Sequence, residues 1–218
     1  MDEYASRAFI FSDRSFIVPR DINEMTRVTC PKMLHAITRL NEVIKSCLKS
    51  FPETIAGFFS HGAREVIRRS CSSSQEKSKY VQSMSCIRDP TRMTQLYDAV
   101  SVYTKKLVSV QETVPSSKKF DVTYCSYMNL RNTVRRISKV NCSKEATEYI
   151  LDTMDGSMRD GMRAFDMISL TYQKDPSKCD PILATYPLNV AANLNQKETS
   201  FLIPLIHVLN AVGSSDRV

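Results

Sequence analysis

Met93, Leu96, Val100, Tyr103, Leu107, Val110 and Val114 recur at alternating spacings of three and four residues. That spacing puts all seven on one face of an α-helix, whereas a strand would scatter them over both faces of a sheet. This segment must therefore form an amphipathic helix of about six turns, and such a helix needs other apolar stripes to bury against.

The chain supplies them. Met33, Ile37, Leu40, Ile44 and Cys47 repeat the pattern after Pro31, which suits a first turn. After Pro52, Ile55, Phe59, Ala63 and Val66, with Phe58 and Ile67, make a second stripe. The polar run "SCSSSQEKSK" (70–79) reads as a connection, followed by a short helix through Tyr80, Val81 and Met84 to Cys86. "VPSSKK" (114–119) breaks the long stripe, and Tyr127, Leu130, Val134 and Ile137 begin another. Ser143 can cap the next helix, with Glu145 in its first turn, ahead of Ala146, Tyr149, Ile150, Thr153 and Met154. Gly156 is expected to kink or end that helix before Met158, Met162, Phe165 and Ile168 resume the stripe. The segment 174–189, with three prolines, reads as a loop, and a final helix is expected over about 197–212, kinked near Pro204. Residues 1–28 lack a period and read as an N-terminal arm ahead of one helical domain, 29–218. Phe9, Phe11, Phe16 and Ile17 of that arm would dock on a neighbouring subunit or fold back on their own chain. The expected fold is an all-α bundle of six to eight amphipathic helices.

Only 5 glycines occur in 218 residues, which disfavours tight hairpins and leaves no Gly-rich loop to cradle a phosphate. The formal charge of +7 suits an acidic partner, but the basic residues are dispersed and form no block. No apolar run approaches the roughly 18–20 residues of a membrane span. The start "MDEYASRAFIFSDRSF" lacks a positive n-region and apolar core, so it does not read as a signal peptide. A secreted location would then imply a processed form.

Seven cysteines, at 30, 47, 71, 86, 125, 142 and 179, are many for a reducing compartment. All but Cys179 fall at or near expected helix ends, as staples between neighbouring helices would. A helix of about 25 Å separates Cys30 from Cys47, and another separates Cys125 from Cys142, so neither couple can bond. The odd count leaves one thiol over, and on the order of a hundred pairings stay open. Asn141-Cys142-Ser143 is an N-glycosylation sequon.

Catalytic and metal signatures are absent. No nucleophile elbow, zincin, Walker or dinucleotide motif occurs. His35, His61 and His207 lack zinc-ligand spacing and read as packing or surface residues. "DTMDGSMRDG" (152–161) carries Asp152, Asp155 and Asp160 but misses the calcium-loop pattern. No catalytic residue, cofactor or metal is therefore expected. "REVIRR" and "RNTVRR" share the pattern R-x-x-[VI]-R-R: Arg64, Arg68 and Arg69 on one helix, Arg131, Arg135 and Arg136 on another. One-turn spacing gives each helix a paired basic face suited to an anionic partner. Nucleic acid is disfavoured, because no aromatic residues interleave for base stacking.

The spacing C-x16-C-x23-C, with "SCL" around Cys47 and "VIRRSC" before Cys71, and the later "YCSY…VNCSKEATEYI", resembles arthropod secreted proteins of the haemolymph-glycoprotein type over roughly residues 28–180. That resemblance implies an extracellular helical protein without enzymatic activity. Combined with the cysteines and the sequon, it gives the leading expectation: a secreted structural, storage or binding component acting through its surface on protein partners, itself included. The alternatives are an intracellular basic assembly protein on an acidic polymer, nucleocapsid-like, and a thiol-dependent enzyme.

Overall fold

A computed structural model describes residues 1–163, 175–188 and 200–213. Among these the chain is all-α, with no strand. The elements are α1 (Asp2–Ala8), α2 (Ile22–Glu24), a π-helical turn (Met25–Thr29), α3 (Cys30–Cys47), α4 (Phe51–Cys71) and α5 (Ser74–Ser85). They continue with α6 (Pro90–Thr113), α7 (Ser116–Ser138), α8 (Lys144–Arg163), a 3-10 turn (Pro176–Lys178), α9 (Cys179–Thr185) and α10 (Leu202–Gly213).

The stripes read from the sequence are the buried faces except at Cys47 and Phe58, which are exposed. Leu96, Val100, Tyr103, Leu107 and Val110 of α6 are sealed from solvent, as are Ile37, Leu40 and Ile44 of α3. α6 and α7 form an antiparallel hairpin whose only break is Val114–Pro115; Ser116–Lys119 are helical. The buried Lys119 donates from Nζ to the carbonyls of Val110 (3.0 Å) and Gln111, placing its charge on the last carbonyls of α6.

α4 and α8 make the most extensive helix pair, and glycine lets them approach. A Cβ on Gly62 would sit 2.8 Å from the Gly156 carbonyl oxygen, and one on Gly156 would sit 2.7 Å from a Val66 methyl. A Cβ on Gly161 would lie 2.3 Å from the Phe59 ring. Gly156, expected as a kink or stop, is therefore a contact point, and α8 runs straight through it to Arg163. Ser143 caps α8 as expected, accepting the Ala146 N–H at 3.2 Å.

Several other segments differ from expectation. Residues 1–28 are not an arm: α1 packs on α3, and Phe9, Phe11, Val18 and Met25 lie in the main core. The Phe9 ring meets Phe201 edge-on at 4.9 Å, the Tyr97 hydroxyl donates to the Phe16 carbonyl at 2.8 Å, and Arg88 donates to that of Pro19. These aromatics fold back on their own chain. They escape a period because the backbone turns between them, with Phe11 itself at φ 63°.

Residues 74–79, expected within a polar connection, open α5. Ser73 caps it by accepting the Glu76 N–H, and its polar positions face solvent. Within the expected loop 174–189, Pro181 lies in the first turn of α9, where its missing N–H costs nothing. Pro204 occupies the corresponding place in α10, so the expected kink does not occur. Phe165, Ile168 and residues 197–199 lie outside the described residues.

Gly62→Ala forces a methyl into backbone and is expected to destabilise the protein by about 1–3 kcal/mol. Gly57, in the same helix, has nothing within 4 Å of a Cβ, and Gly57→Ala is expected to stabilise by about 1 kcal/mol. Urea midpoints of the two variants check the pair of opposite signs.

Candidate functional site

Six cysteines pair as Cys30–Cys71, Cys86–Cys142 and Cys125–Cys179, and Cys47 is a free, exposed thiol at the end of α3. Cys30–Cys71 closes the antiparallel α3–α4 pair, and Cys86–Cys142 joins the end of α5 to the turn before α8. Cys125 departs from expectation. It lies inside α7 and anchors the first residue of α9, so this bridge joins a helix face to a helix start. Asn141 is exposed in the 139–143 turn, beside the bonded Cys142.

The arginine faces are less open than their spacing implied. Arg131 Nε donates to Asp155 Oδ2 at 2.8 Å, and the Tyr127 hydroxyl donates to Asp155 Oδ1 at 2.7 Å. Burial, and then the Asp155 charge, push the Tyr127 phenol well above its usual pKa, so it remains a donor at physiological pH. Arg135 approaches Glu148 at 3.7 Å. Two members of the α7 set are thus turned toward α8, which fills their charge from within the chain. Arg68 pairs with Glu65 at 3.9 Å along α4; Arg64, Arg69 and Arg136 are exposed. Exposed pairs of this kind contribute about 0–1 kcal/mol.

The "DTMDGSMRDG" stretch is helical throughout, with Asp155 committed as above and Asp160 2.7 Å from His61 Nδ1. His35 and His207 are exposed. Among the described residues no group of three His, Cys, Asp or Glu side chains could hold a metal ion. No described helix is long and apolar enough to cross a membrane.

A cleft that the sequence did not announce lies where α1, residues 13–17, the π-helical turn and the start of α3 converge. It measures about 310 Å³, at the lower end of the roughly 300–1,000 Å³ typical of small-molecule sites. Its local structure follows from two features. Asp21 accepts the Glu24 N–H at 2.8 Å while Glu24 Oε2 accepts the Arg20 N–H at 2.7 Å, a reciprocal cap that starts α2. Pro31 then has no N–H for the carbonyl four residues back and would crowd it with its ring. The turn before it widens to π, with the Cys30 N–H reaching the Met25 carbonyl.

The cleft wall is apolar at Phe16, Ile17, Val28, Met33 and Ala36. Ile17 is 70% exposed and Val28 42% exposed, and both border the cleft. The acids around it are engaged: Asp13 accepts from the Ser15 N–H and hydroxyl and lies 3.7 Å from Arg7, and Glu24 is held by the cap. Lys32 and His35 also line the cleft and have no hydrogen bond or ion pair among the described residues; the His35 ring meets the Tyr4 ring edge-on, at 6.5 Å between centroids. Sequence reasoning missed this site because its residues come from four short pieces. The available signal was Ile17, Ile22 and Val28, apolar residues belonging to no stripe.

Compared with known family models, curated proteins and solved structures, the chain matches none.

Asp155→Ala is expected to strand the Tyr127 hydroxyl and the Arg131 guanidinium, lowering stability by about 1–3 kcal/mol with the fold retained. Chemical denaturation with a circular-dichroism readout checks it, and Asp155→Asn, which keeps an acceptor, should lose less.

Proposed function

We propose that this chain is a non-enzymatic extracellular protein, as the resemblance to haemolymph-glycoprotein-type proteins implies, and that it works by binding through its surface. The observation that carries the reading is the three-disulfide set, which engages six of seven cysteines across helix pairs. A glutathione-poised cytosol keeps such thiols reduced, whereas secretory compartments oxidise them. The exposed Asn141 adds a second support, since its side chain stands in a turn open to a glycan. The acidic-polymer alternative loses two of its six candidate arginines, because Arg131 and Arg135 already have acidic partners on α8.

The binding role draws on the cleft between the N-terminal segment and α3. Exposed Ile17 and Val28 facing a cavity are the kind of apolar surface a folded chain retains for a ligand.

Expression through a eukaryotic secretory pathway is expected to yield protein carrying a glycan on Asn141, with Asn141→Gln removing it. Glycopeptide mass spectrometry reads the result. An unmodified Asn141 in secreted material, together with alkylatable Cys86 and Cys142, would contradict the assignment.

A further inference from the structure

We infer that the cleft bordered by Ile17, Val28, Lys32 and His35 binds a free, single-chain amphipathic carboxylate, the anionic head on Lys32 and the alkyl chain along Ile17 and Val28. This deepens the binding role proposed above and rests on it. Val28, Lys32 and His35 are spaced by four and three residues along one continuous helical run, so apolar and cationic groups share one face.

The charge pattern selects the head group. Formal charges around the cleft nearly cancel, but the acids do not remain available. Asp13 is held by Ser15 and Arg7, and Glu24 by the Arg20 N–H. Arg7 is in turn divided between Glu3 at 3.1 Å and Asp13. Among the described residues Lys32 has no counter-ion, and His35 carries at least one ring N–H without an acceptor. A carboxylate accepts from both, and a charge-assisted bond of this type is stronger than a neutral one.

The rest of the cleft selects the tail. Phe16, Ile17, Val28, Met33 and Ala36 give the lining its apolar part, and methionine adapts to irregular chains. A neutral amphiphile would leave Lys32 unpaired, while a cationic one would meet it with like charge. A cleft of about 310 Å³ suits one chain of modest length and not a bilayer surface.

Isothermal titration of the intact, oxidised protein with dodecanoate, dodecanol and dodecyltrimethylammonium, each below its micelle threshold, tests the inference. Dodecanoate is expected to bind saturably at one per chain, dodecanol more weakly, and the ammonium amphiphile weakest. Lys32→Met should weaken dodecanoate roughly tenfold while leaving dodecanol unchanged. Ile17→Ser should weaken both. The two positions are exposed, so the variants should keep the wild-type circular-dichroism spectrum and melting curve. No saturable dodecanoate binding, or binding indifferent to both substitutions, would overturn the inference. Lys32-dependent pelleting with phosphatidylserine vesicles without one-to-one dodecanoate binding would overturn it too. Either failure leaves the extracellular assignment standing, because the Asn141 glycan is read independently.

Discussion

Three covalent cross-links between helices that are themselves rigid set what the rest of this molecule can do. An 18-residue helix stands between Cys30 and Cys47, so each cysteine must look to another element. Cys30 finds Cys71 at the far end of α4, which aligns α3 and α4 side by side. The bridges close loops of 41, 56 and 54 residues, and by chain entropy each would contribute roughly 4 kcal/mol by restricting the unfolded chain. Cys30 also immediately follows the π-helical turn. The bridge that fastens α4 to α3 therefore holds the wall of the cleft, and fold and candidate site share one constraint.

Packing supplies what the bridges do not. The α4–α8 contact depends on side chains that are absent: at Gly62, Gly156 and Gly161 neighbouring backbone, the Val66 methyl and the Phe59 ring respectively occupy the space a Cβ would take. That close approach brings His61 to Asp160 at the surface and sets α8 where Asp155 can receive Tyr127 and Arg131 from α7. Around this pair, α10 packs on α4, α6 and α7. A smaller cluster of Val110, Val114, Val122 and Val208 lies against Ile182 and Leu183 of α9, which Cys125–Cys179 holds in place.

What the sequence disclosed follows the range of each interaction. The three-and-four stripes of α3, α4, α6, α7 and α8 are local properties, and the buried faces match them because amphipathicity is set within one helix. The cysteine connectivity was not legible. Only the two impossible couples could be excluded, since partner choice is made by helices far apart in sequence. Gly156 was misread because a glycine accommodating a neighbouring helix looks the same in sequence as one ending its own. The N-terminal segment was misread for a different reason. Phe9, Phe11, Val18 and Met25 are core residues delivered by a short helix, turns and a π-helical step, so no single period connects them. The cleft, assembled from those same irregular pieces, was hidden with them. The arginine spacing was legible, but its meaning depended on Asp155 and Glu148, which arrive from another helix.

Non-reducing peptide mapping of natively isolated protein, alkylated before digestion, tests the cross-link pattern most directly. The expected result is three linked peptide pairs, Cys30 with Cys71, Cys86 with Cys142 and Cys125 with Cys179, and alkylation of Cys47 alone. Seven alkylated cysteines, or any intrachain bridge that includes Cys47, would contradict it.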